Sequence, residues 1–296
     1  MRIVSLVPNG TEVLFALGAG ELVVGVSHEC DYPPEARSRP ILTGSALASG
    51  LSAAEVDAAV SAQLALGKSL YSLDEERIAS LAPELIVTQQ LCPVCAVSTA
   101  QVDQAVAVLP RCPELLSLDP HTLEDVLADI LRVGERLGLA ARAGELVASL
   151  RRRLEVAQEL PLVPSRPRVV ALEWPDPPFL AGHWVPEMIH WAGGEDAFAR
   201  PGEASRRTQW QEIAAADPDF LLVAPCGFDV AGAARELAKI AHLPLWQGLR
   251  AAREGHVAVV DANGHWSRPG PRLVDGVEEL ARRLAASFGL SASPAG

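Results

Sequence analysis

The sequence predicts an α/β protein of two similar lobes, each built on a parallel sheet, and three observations support this fold class. The chain has 296 residues, which at roughly 150 residues per domain suggests two domains. Short apolar runs that suit strands buried on both faces alternate with amphipathic helical stretches, as in parallel α/β sheets. In addition, one helix–turn–strand pattern occurs in each half of the chain.

This internal repeat consists of a short helix, a proline–acid turn and a buried strand. It spans residues 76–87 in the first half and 211–223 in the second, with Pro83 and Pro218 at the turns. Because proline cannot continue a helix, each helix must end before it, and the apolar run that follows suits a covered strand. The repeat therefore predicts two lobes of related structure.

The first lobe, residues 1–138, is expected to open with a strand, followed by a helix. Asn9, with Glu12 three residues later, predicts the N-cap of that helix. The stretch 43–73 exceeds the usual loop length, and it contains a capping signal followed by an apolar stripe. We therefore expect an inserted helix near residues 52–66.

The centre of the chain is expected to be helical. Thr122, with Asp125 three residues later, resembles a capping box and opens the first of two helices. The second, at 139–160, has an apolar stripe on one face and is expected to connect the lobes. The second lobe is assigned to residues 166–296.

Composition and charge exclude several classes of protein. Lysine and arginine number 25 against 37 acidic residues, and this net charge of −12 argues against a nucleic-acid-binding protein. No apolar run reaches the roughly 18 residues of a membrane-spanning helix, so no membrane insertion is expected. The first residues predict a strand rather than a secretory leader, and five cysteines fit a reducing compartment. The sequence as written thus predicts a cytoplasmic protein, or a periplasmic or extracellular one if a native leader is missing.

The candidate site lies at the predicted carboxyl ends of the strands, where loops of parallel sheets converge. Six such loops are rich in aromatic side chains, namely Tyr32, Trp174, Phe179, Trp184, Phe228 and Trp266. A cleft between the lobes that is lined in this way would suit a large flat ligand with apolar faces. The alternative is that several of these aromatic residues belong to the core of each lobe.

Six motifs in these regions carry a family resemblance; they lie at residues 3–12, 25–27, 31–34, 177–182, 193–196 and 266–272. In this order they resemble the cobalamin-binding proteins of bacterial ABC importers. The resemblance implies two Rossmann-like lobes joined by a long backbone helix, as in class III substrate-binding proteins, with a corrinoid held between the lobes. The positions that match the family's ligand contacts are Pro8, Tyr32, Phe179, Gly182, Trp266 and Arg268. Asn9, His183 and Trp184 complete the predicted ligand-binding set.

The same resemblance implies docking on a membrane permease through one glutamate on each lobe. Glu76 matches the position on the first lobe. The corresponding position on the second lobe is Gln211, with Glu212 adjacent to it. Glu76 and Glu212 are therefore the predicted docking residues for an ABC permease.

Cysteine and histidine residues form a second candidate constellation. Cys92 and Cys95 form a CxxC pair after a predicted strand, and His28, Cys30 and Cys226 lie in other strand-end loops. Three interpretations are open: reduced thiols without a role, a redox or disulfide pair, or coordination of zinc, iron, copper(I) or cobalt. If a side chain ligates the cobalt of a bound cobalamin, His183 is the first candidate, because it follows the loop at 179–182.

The predicted function is non-catalytic binding of cobalamin, either as an importer receptor or as a cytoplasmic corrinoid carrier. One alternative keeps the fold and changes the ligand to an iron-siderophore, haem or a metal ion. Another is a thiol-dependent enzyme that processes corrinoids. No phosphate-binding glycine loop and no GxSxG nucleophile elbow occur in the sequence.

Overall fold

The computed structural model describes residues 1–47, 51, 53–66, 69–89, 102, 106, 112–159 and 165–289. It divides into two compact units, the N-terminal unit (Met1–Pro120 with Asp125–Val147) and the C-terminal unit (His121–Glu124 with Ala148–Gly296). Both units contain a sheet with parallel strands and flanking helices. The predicted α/β class is confirmed.

The N-terminal unit is built on a four-stranded parallel sheet. The strands of this half are β1 (Ile3–Ser5), β2 (Val23–Val26), β3 (Thr43–Ser45), β4 (Tyr71–Leu73), β5 (Leu85–Thr88) and β6 (Glu114–Ser117). The sheet order is β2-β1-β5-β6, with every pairing parallel, whereas β3 and β4 form a separate antiparallel pair. In the main sheet, β1 and β5 are buried throughout, which agrees with their continuous apolar sequence.

Helices alternate with and follow these strands along the chain. They are α1 (Pro8–Ala16), α2 (Ala53–Ala65), α3 (Glu75–Leu81), α4 (Leu123–Arg136) and α5 (Ala140–Gln158), with 3₁₀ turns at Gly20–Leu22 and Pro34–Ser38. Helix α2 lies within the stretch expected to be an insertion, between β3 and β4. The predicted N-cap at Asn9 is wrong, because α1 already begins at Pro8 and Val7 occupies the cap position without a side-chain hydrogen bond. Proline suits the first helical position, where its missing N–H is not needed.

The internal repeat appears as the same local structure in both units. Helix α3 ends at Ala82 in the left-handed conformation (φ 44°), and the equivalent helix α7 (Trp210–Ala216) ends at Asp217 (φ 40°). A proline and an acidic residue follow in each case, and then a fully buried strand. The repeat read from the sequence is thus confirmed as helix, turn and strand.

An arginine at the start of the first strand closes each repeat. In the N-terminal unit, Arg2 donates from Nε to the carbonyl of Leu81 at 2.6 Å and from its backbone N–H to Glu84 at 2.8 Å. In the C-terminal unit, Arg168 donates to the carbonyl of Ala216 at 2.6 Å, and its backbone N–H donates to Asp219 at 2.7 Å. Carbonyls at the end of a helix have no partner within it, so a cation there provides both a hydrogen bond and a favourable charge.

The C-terminal unit has a mixed sheet rather than the purely parallel one that was expected. Its strands are β7 (Arg168–Pro175), β8 (Pro178–Leu180), β9 (Glu195–Asp196), β10 (Arg206–Arg207), β11 (Phe220–Val223) and β12 (Val257–Val259). The order is β10-β8-β7-β11-β12; β11 pairs in parallel with β7 and β12, while β8 pairs antiparallel with β7 and β10. The short turn between β7 and β8 allows only an antiparallel return, since a parallel strand needs a long crossover.

The helices of the C-terminal unit cover this sheet. Besides α7 they are α6 (Val185–Trp191), α8 (Val230–Ile240), α9 (Pro244–Gly248), α10 (Arg250–Glu254), α11 (Ala262–His265) and α12 (Leu273–Phe288). One buried apolar cluster includes Val170, Leu221 and Trp246, and a separate cluster in the N-terminal unit includes Val4, Ile78 and Ile86. Each unit therefore has a hydrophobic core of its own. Among the described helices, none has the length and apolar character needed to cross a membrane.

Candidate functional site

At the carboxyl edge of the N-terminal sheet, α1 packs closely on β5. An ideal Cβ on Gly10 would lie 2.6 Å from Cγ1 of Val87, so only glycine allows this approach. Pro8 and Asn9, both predicted ligand contacts, lie in the first turn of α1 and are buried. They lie at the strand end, but their side chains are covered, and their contact with a ligand stays a prediction.

Two buried polar atoms at this edge lack partners among the described residues. Nδ2 of Asn9, whose residue is 2% exposed, has no hydrogen bond, and neither has Oγ1 of Thr88 at the end of β5. A buried polar group without a hydrogen bond is costly, by about 1–3 kcal/mol. Ordered water is the usual partner of buried atoms of this kind.

The loop after β2 carries the remaining predicted residues of this edge. Tyr32 is 44% exposed, and its contact with a ligand stays a prediction. His28 is half-buried, and its Nδ1 lies 2.6 Å from the hydroxyl of Thr43. Nε2 is therefore the ring nitrogen that this contact does not use. Cys30 is buried, and its sulfur accepts a hydrogen bond from the hydroxyl of Thr11 at 3.1 Å.

The β7–β8 hairpin forms part of the corresponding edge in the C-terminal unit. Phe179 lies in β8 and is half-buried, with the guanidinium of Arg207 5.1 Å from its ring centre. Trp174, near the end of β7, meets Phe228 edge to face, with ring centres 5.8 Å apart. Aromatic and cation–π contacts therefore hold the rings of this edge in defined positions.

Gly182, another predicted contact, packs closely against the loop that precedes β10. Its N–H donates to the hydroxyl of Ser205 at 3.1 Å, and Ser205 in turn donates to the carboxylate of Glu173. Burial raises the pKa of Glu173, and the hydrogen bond from Ser205 partly offsets this rise. An ideal Cβ at position 182 would lie 2.6 Å from backbone atoms of Ala204 and Ser205, so a side chain does not fit.

His183 follows in the left-handed conformation, with φ 53°. Its ring stacks on Trp184 at 5.5 Å and lies 5.8 Å from the ring of His121. Burial and the neighbouring charge of His121 lower the pKa of His183. Its Nδ1 is buried and makes no hydrogen bond in the described part of the chain.

Three predicted contacts are buried within the C-terminal unit. Trp184 and Trp266 are 5% and 2% exposed, and Nε1 of Trp184 donates to the carbonyl of Trp266 at 2.8 Å. Arg268 is also buried, at 8% exposure. In this arrangement both indole rings contribute to packing, and their role in binding stays a prediction.

The predicted cysteine and histidine constellation is only partly described. Cys92 and Cys95 lie outside the described residues. Cys226 is a half-buried free thiol after β11, and its backbone N–H donates to the carbonyl of Glu173 at 3.3 Å. Within the described ranges no group of three or more histidine, cysteine or acidic side chains could hold a metal ion, so His28, Cys30 and Cys226 form no such cluster there.

The predicted docking residues differ in their surroundings. Glu76 lies in the first turn of α3 and is exposed. Glu212, in the first turn of α7, pairs with Arg206 at 2.5 Å and accepts a hydrogen bond from Thr208. These partners lower the pKa of Glu212 to about 2. Its charge is therefore already balanced within the C-terminal unit.

Sequence reasoning missed His121 and Ser205. His121 lies 62 positions before His183, and no spacing rule links the two. Ser205 belongs to a polar loop with no periodic pattern. The glycine at 182, beside predicted aromatic contacts, was the only signal that another backbone approaches there.

Comparison with known proteins agrees with this architecture. Residues 3–263 match the family model described as periplasmic binding protein. The chain is 25% identical over 290 residues to the uncharacterized ABC transporter substrate-binding lipoprotein YvrC of Bacillus subtilis, covering 96% of this chain and 79% of that protein. It is 23% identical over 291 residues to the vitamin B12-binding protein of Vibrio cholerae, covering 96% and 88%.

A solved structure extends the comparison to three dimensions. The periplasmic haem-binding protein RhuT from Roseiflexus sp. RS-1, in its apo form, aligns with a TM-score of 0.71 and 25% identity. The alignment covers 97% of this chain and 98% of RhuT. The predicted fold of two lobes joined by a helix is confirmed. These relatives are named as binding proteins and not as enzymes, which confirms the prediction of a non-catalytic protein.

Proposed function

This chain belongs to the periplasmic binding protein family, and we propose that it is the receptor of an ABC importer for a corrinoid, with cobalamin as the first candidate ligand. The observation that carries the proposal is the match to the vitamin B12-binding protein of Vibrio cholerae over 96% of this chain. The ordered motifs at the strand ends support it independently of overall identity.

In this proposal, Tyr32 and Phe179 pack against the apolar faces of the corrin ring. Tyr32 is exposed at the edge of the N-terminal sheet, and Phe179 is kept in place by Arg207. Large rigid aromatic side chains provide contact area with little loss of conformational entropy. The peripheral amides of the corrin would then find hydrogen-bond partners among the polar groups of the strand-end loops.

Haem is the second candidate, favoured by the similarity to RhuT and by two imidazoles near the strand ends. His28 has one ring nitrogen held by Thr43, and His183 has a buried Nδ1 without a described hydrogen bond. Imidazole is a common axial ligand of haem iron. Iron-siderophores and metal ions remain the third class of ligand, as bound by receptors of the same fold.

Titration of the purified protein with cyanocobalamin, hydroxocobalamin and haem tests the proposal. We expect saturable quenching of tryptophan fluorescence by a corrinoid at one equivalent per chain. Tyr32→Ala and Phe179→Leu should each weaken binding by about tenfold, whereas Leu66→Ala, at a 67% exposed position on the N-terminal unit, should not. A saturable response to haem alone would select the second candidate, and no response to any corrinoid would overturn the first.

For transport, we propose that Glu76 provides the main charged contact with the permease. Glu76 is exposed, whereas Glu212 already pairs with Arg206. An exposed charge at an interface steers association more effectively than one already neutralised. An extracytoplasmic location follows from this role, which is the second of the two locations predicted above.

Cobalamin uptake in cells that express the cognate permease measures the role of Glu76. Glu76→Ala should reduce uptake several-fold without changing cobalamin affinity, and Glu75→Ala, at the neighbouring exposed position, serves as the control. Equal uptake by the two variants would contradict this assignment.

A further inference from the structure

We propose that His121 and His183 together chelate a divalent transition-metal ion of the zinc and nickel type in the C-terminal unit. Their ring centres lie 5.8 Å apart, with the rings tilted by 51°. An imidazole nitrogen binds zinc at roughly 2.0–2.1 Å, which puts the ring centre roughly 3.2 Å from the ion, so two rings at adjacent positions of a tetrahedral or distorted tetrahedral ion have their centres roughly 5–6 Å apart. The observed separation falls within that range.

The backbone holds His183 in an unusual conformation at this position. Its φ of 53° is in the left-handed region, which favours glycine. Two hydrogen bonds fix it there: its N–H donates to the carbonyl of Glu203 at 2.6 Å, and its carbonyl accepts from the N–H of Gly202 at 3.0 Å. Strained residues of this kind concentrate at ligand sites, where the surroundings maintain them.

The ring of His183 also has an unsatisfied nitrogen. Nδ1 is buried and has no hydrogen bond from the described residues, while Trp184 covers one face of the ring. A buried polar atom without a partner calls for an explanation, and a bound ion supplies one. The lowered pKa of His183 supports this role, because a neutral imidazole is the form that binds metal.

Helix α6 positions both histidines. His183 lies two residues before the helix begins at Val185. Glu187, in the first turn of α6, accepts a hydrogen bond at 2.6 Å from the N–H of Leu123, two residues after His121. One rigid element therefore sets the distance between the two rings, as a preformed metal site requires.

A free ion fits this pair better than the metal at the centre of a macrocycle. A haem or corrin ring supplies four ligands in its plane and leaves its axial positions on opposite faces. Two neighbouring imidazoles cannot both occupy such positions, whereas they can take adjacent positions of a four-coordinate ion whose remaining ligands are water. The pair is therefore assigned to a free ion, and it shares His183 with the predicted ligand-binding set.

Calorimetric titration of the metal-free full chain with Zn²⁺ and Ni²⁺ tests the proposal. We expect one equivalent of either ion to bind. His121→Ala and His183→Asn should each weaken binding by about tenfold or more, and His242→Ala, which removes an exposed histidine elsewhere in the unit, should leave it unchanged. Asparagine is chosen at position 183 because it tolerates the left-handed conformation.

Thermal unfolding in the presence of a chelator checks that the variants fold. If both variants unfold like the parent protein and still bind either ion with unchanged affinity, the proposal is wrong. The same titration is repeated with Ni²⁺ after the thiols of the protein have been alkylated. If the Ni²⁺ affinity still depends on both histidines, the result supports the proposal and excludes the cysteines as ligands. Zn²⁺ and cobalamin are titrated separately, so Zn²⁺ binding through both histidines in a protein that binds no corrinoid would support this site while overturning the proposed function.

Discussion

Replacing Gly182 with alanine should destabilise the protein by about 2–4 kcal/mol. The new Cβ would lie 2.6 Å from backbone atoms of Ala204 and Ser205, and backbone cannot give way as a flexible side chain can. Overpacking of this kind costs about 1–3 kcal/mol. Displacement of the loop would also break the hydrogen bond from the Gly182 N–H to Ser205, which is worth about 1 kcal/mol.

Urea denaturation followed by circular dichroism measures this change in the free energy of unfolding. The matched control is Gly144→Ala, because Gly144 lies inside α5 and its ideal Cβ meets no heavy atom within 4 Å. Alanine is preferred to glycine in helices, so the control should stabilise the protein by about 0.5–1 kcal/mol. If Gly182→Ala were as stable as the parent protein while the control behaved as expected, the close approach at Gly182 would be refuted.

Three further predictions concern single side chains of the C-terminal unit. Burial raises the pKa of Asp196 to about 6, so the native state loses stability as the pH rises through that value. Asp196→Asn removes this charge, and it should therefore raise the free energy of unfolding by about 1 kcal/mol near pH 8. The same substitution should have little effect near pH 4. Arg206 lowers the pKa of Glu212 to about 2, so the pair stabilises the native state above about pH 4.5 and less as the pH falls towards 2. Glu212→Gln should therefore cost at most about 1 kcal/mol at neutral pH, because the pair is exposed, and urea titrations should find this difference shrinking in acid. Trp184→Phe should cost about 1–3 kcal/mol in the same assay, because it leaves the buried carbonyl of Trp266 without its donor.

The sequence predicted the helices, turns and strands that short stretches of residues specify on their own. In both halves, a proline after a short helix marked the turn, and Ala82 and Asp217 adopt the left-handed conformation there. The buried strands β5 and β11 follow as expected, because a short continuous apolar run can be covered on both faces only inside such a sheet. Because the pattern occurs twice, it predicts two lobes, whereas either copy alone predicts only one α/β unit.

Features that depend on tertiary contacts could not be predicted in this way. The sequence predicted a strand-end loop around Phe179, whereas the structure has an antiparallel hairpin of β7 and β8 there. The pairing of His121 with His183 depends on how Glu187 binds the start of α4, and no periodicity encodes that contact. The burial of Trp184 is likewise a property of packing, since an aromatic residue at a strand end suits both a core and a binding site.

The two units share a scaffold at one edge of their sheets and differ at the other. At the amino ends of the strands, Arg2 and Arg168 make the same pair of contacts, to a helix carbonyl and to the acid after the proline. At the carboxyl ends, one unit presents Tyr32, whereas the other presents Phe179 beside Arg207. Because ligands of parallel sheets bind at the carboxyl ends, the shared contacts specify the fold while the differing loops specify the ligand. Proteins named for vitamin B12 and for haem are both similar to this chain, and in the function proposed above the choice between those ligands rests with the side chains of the carboxyl edge.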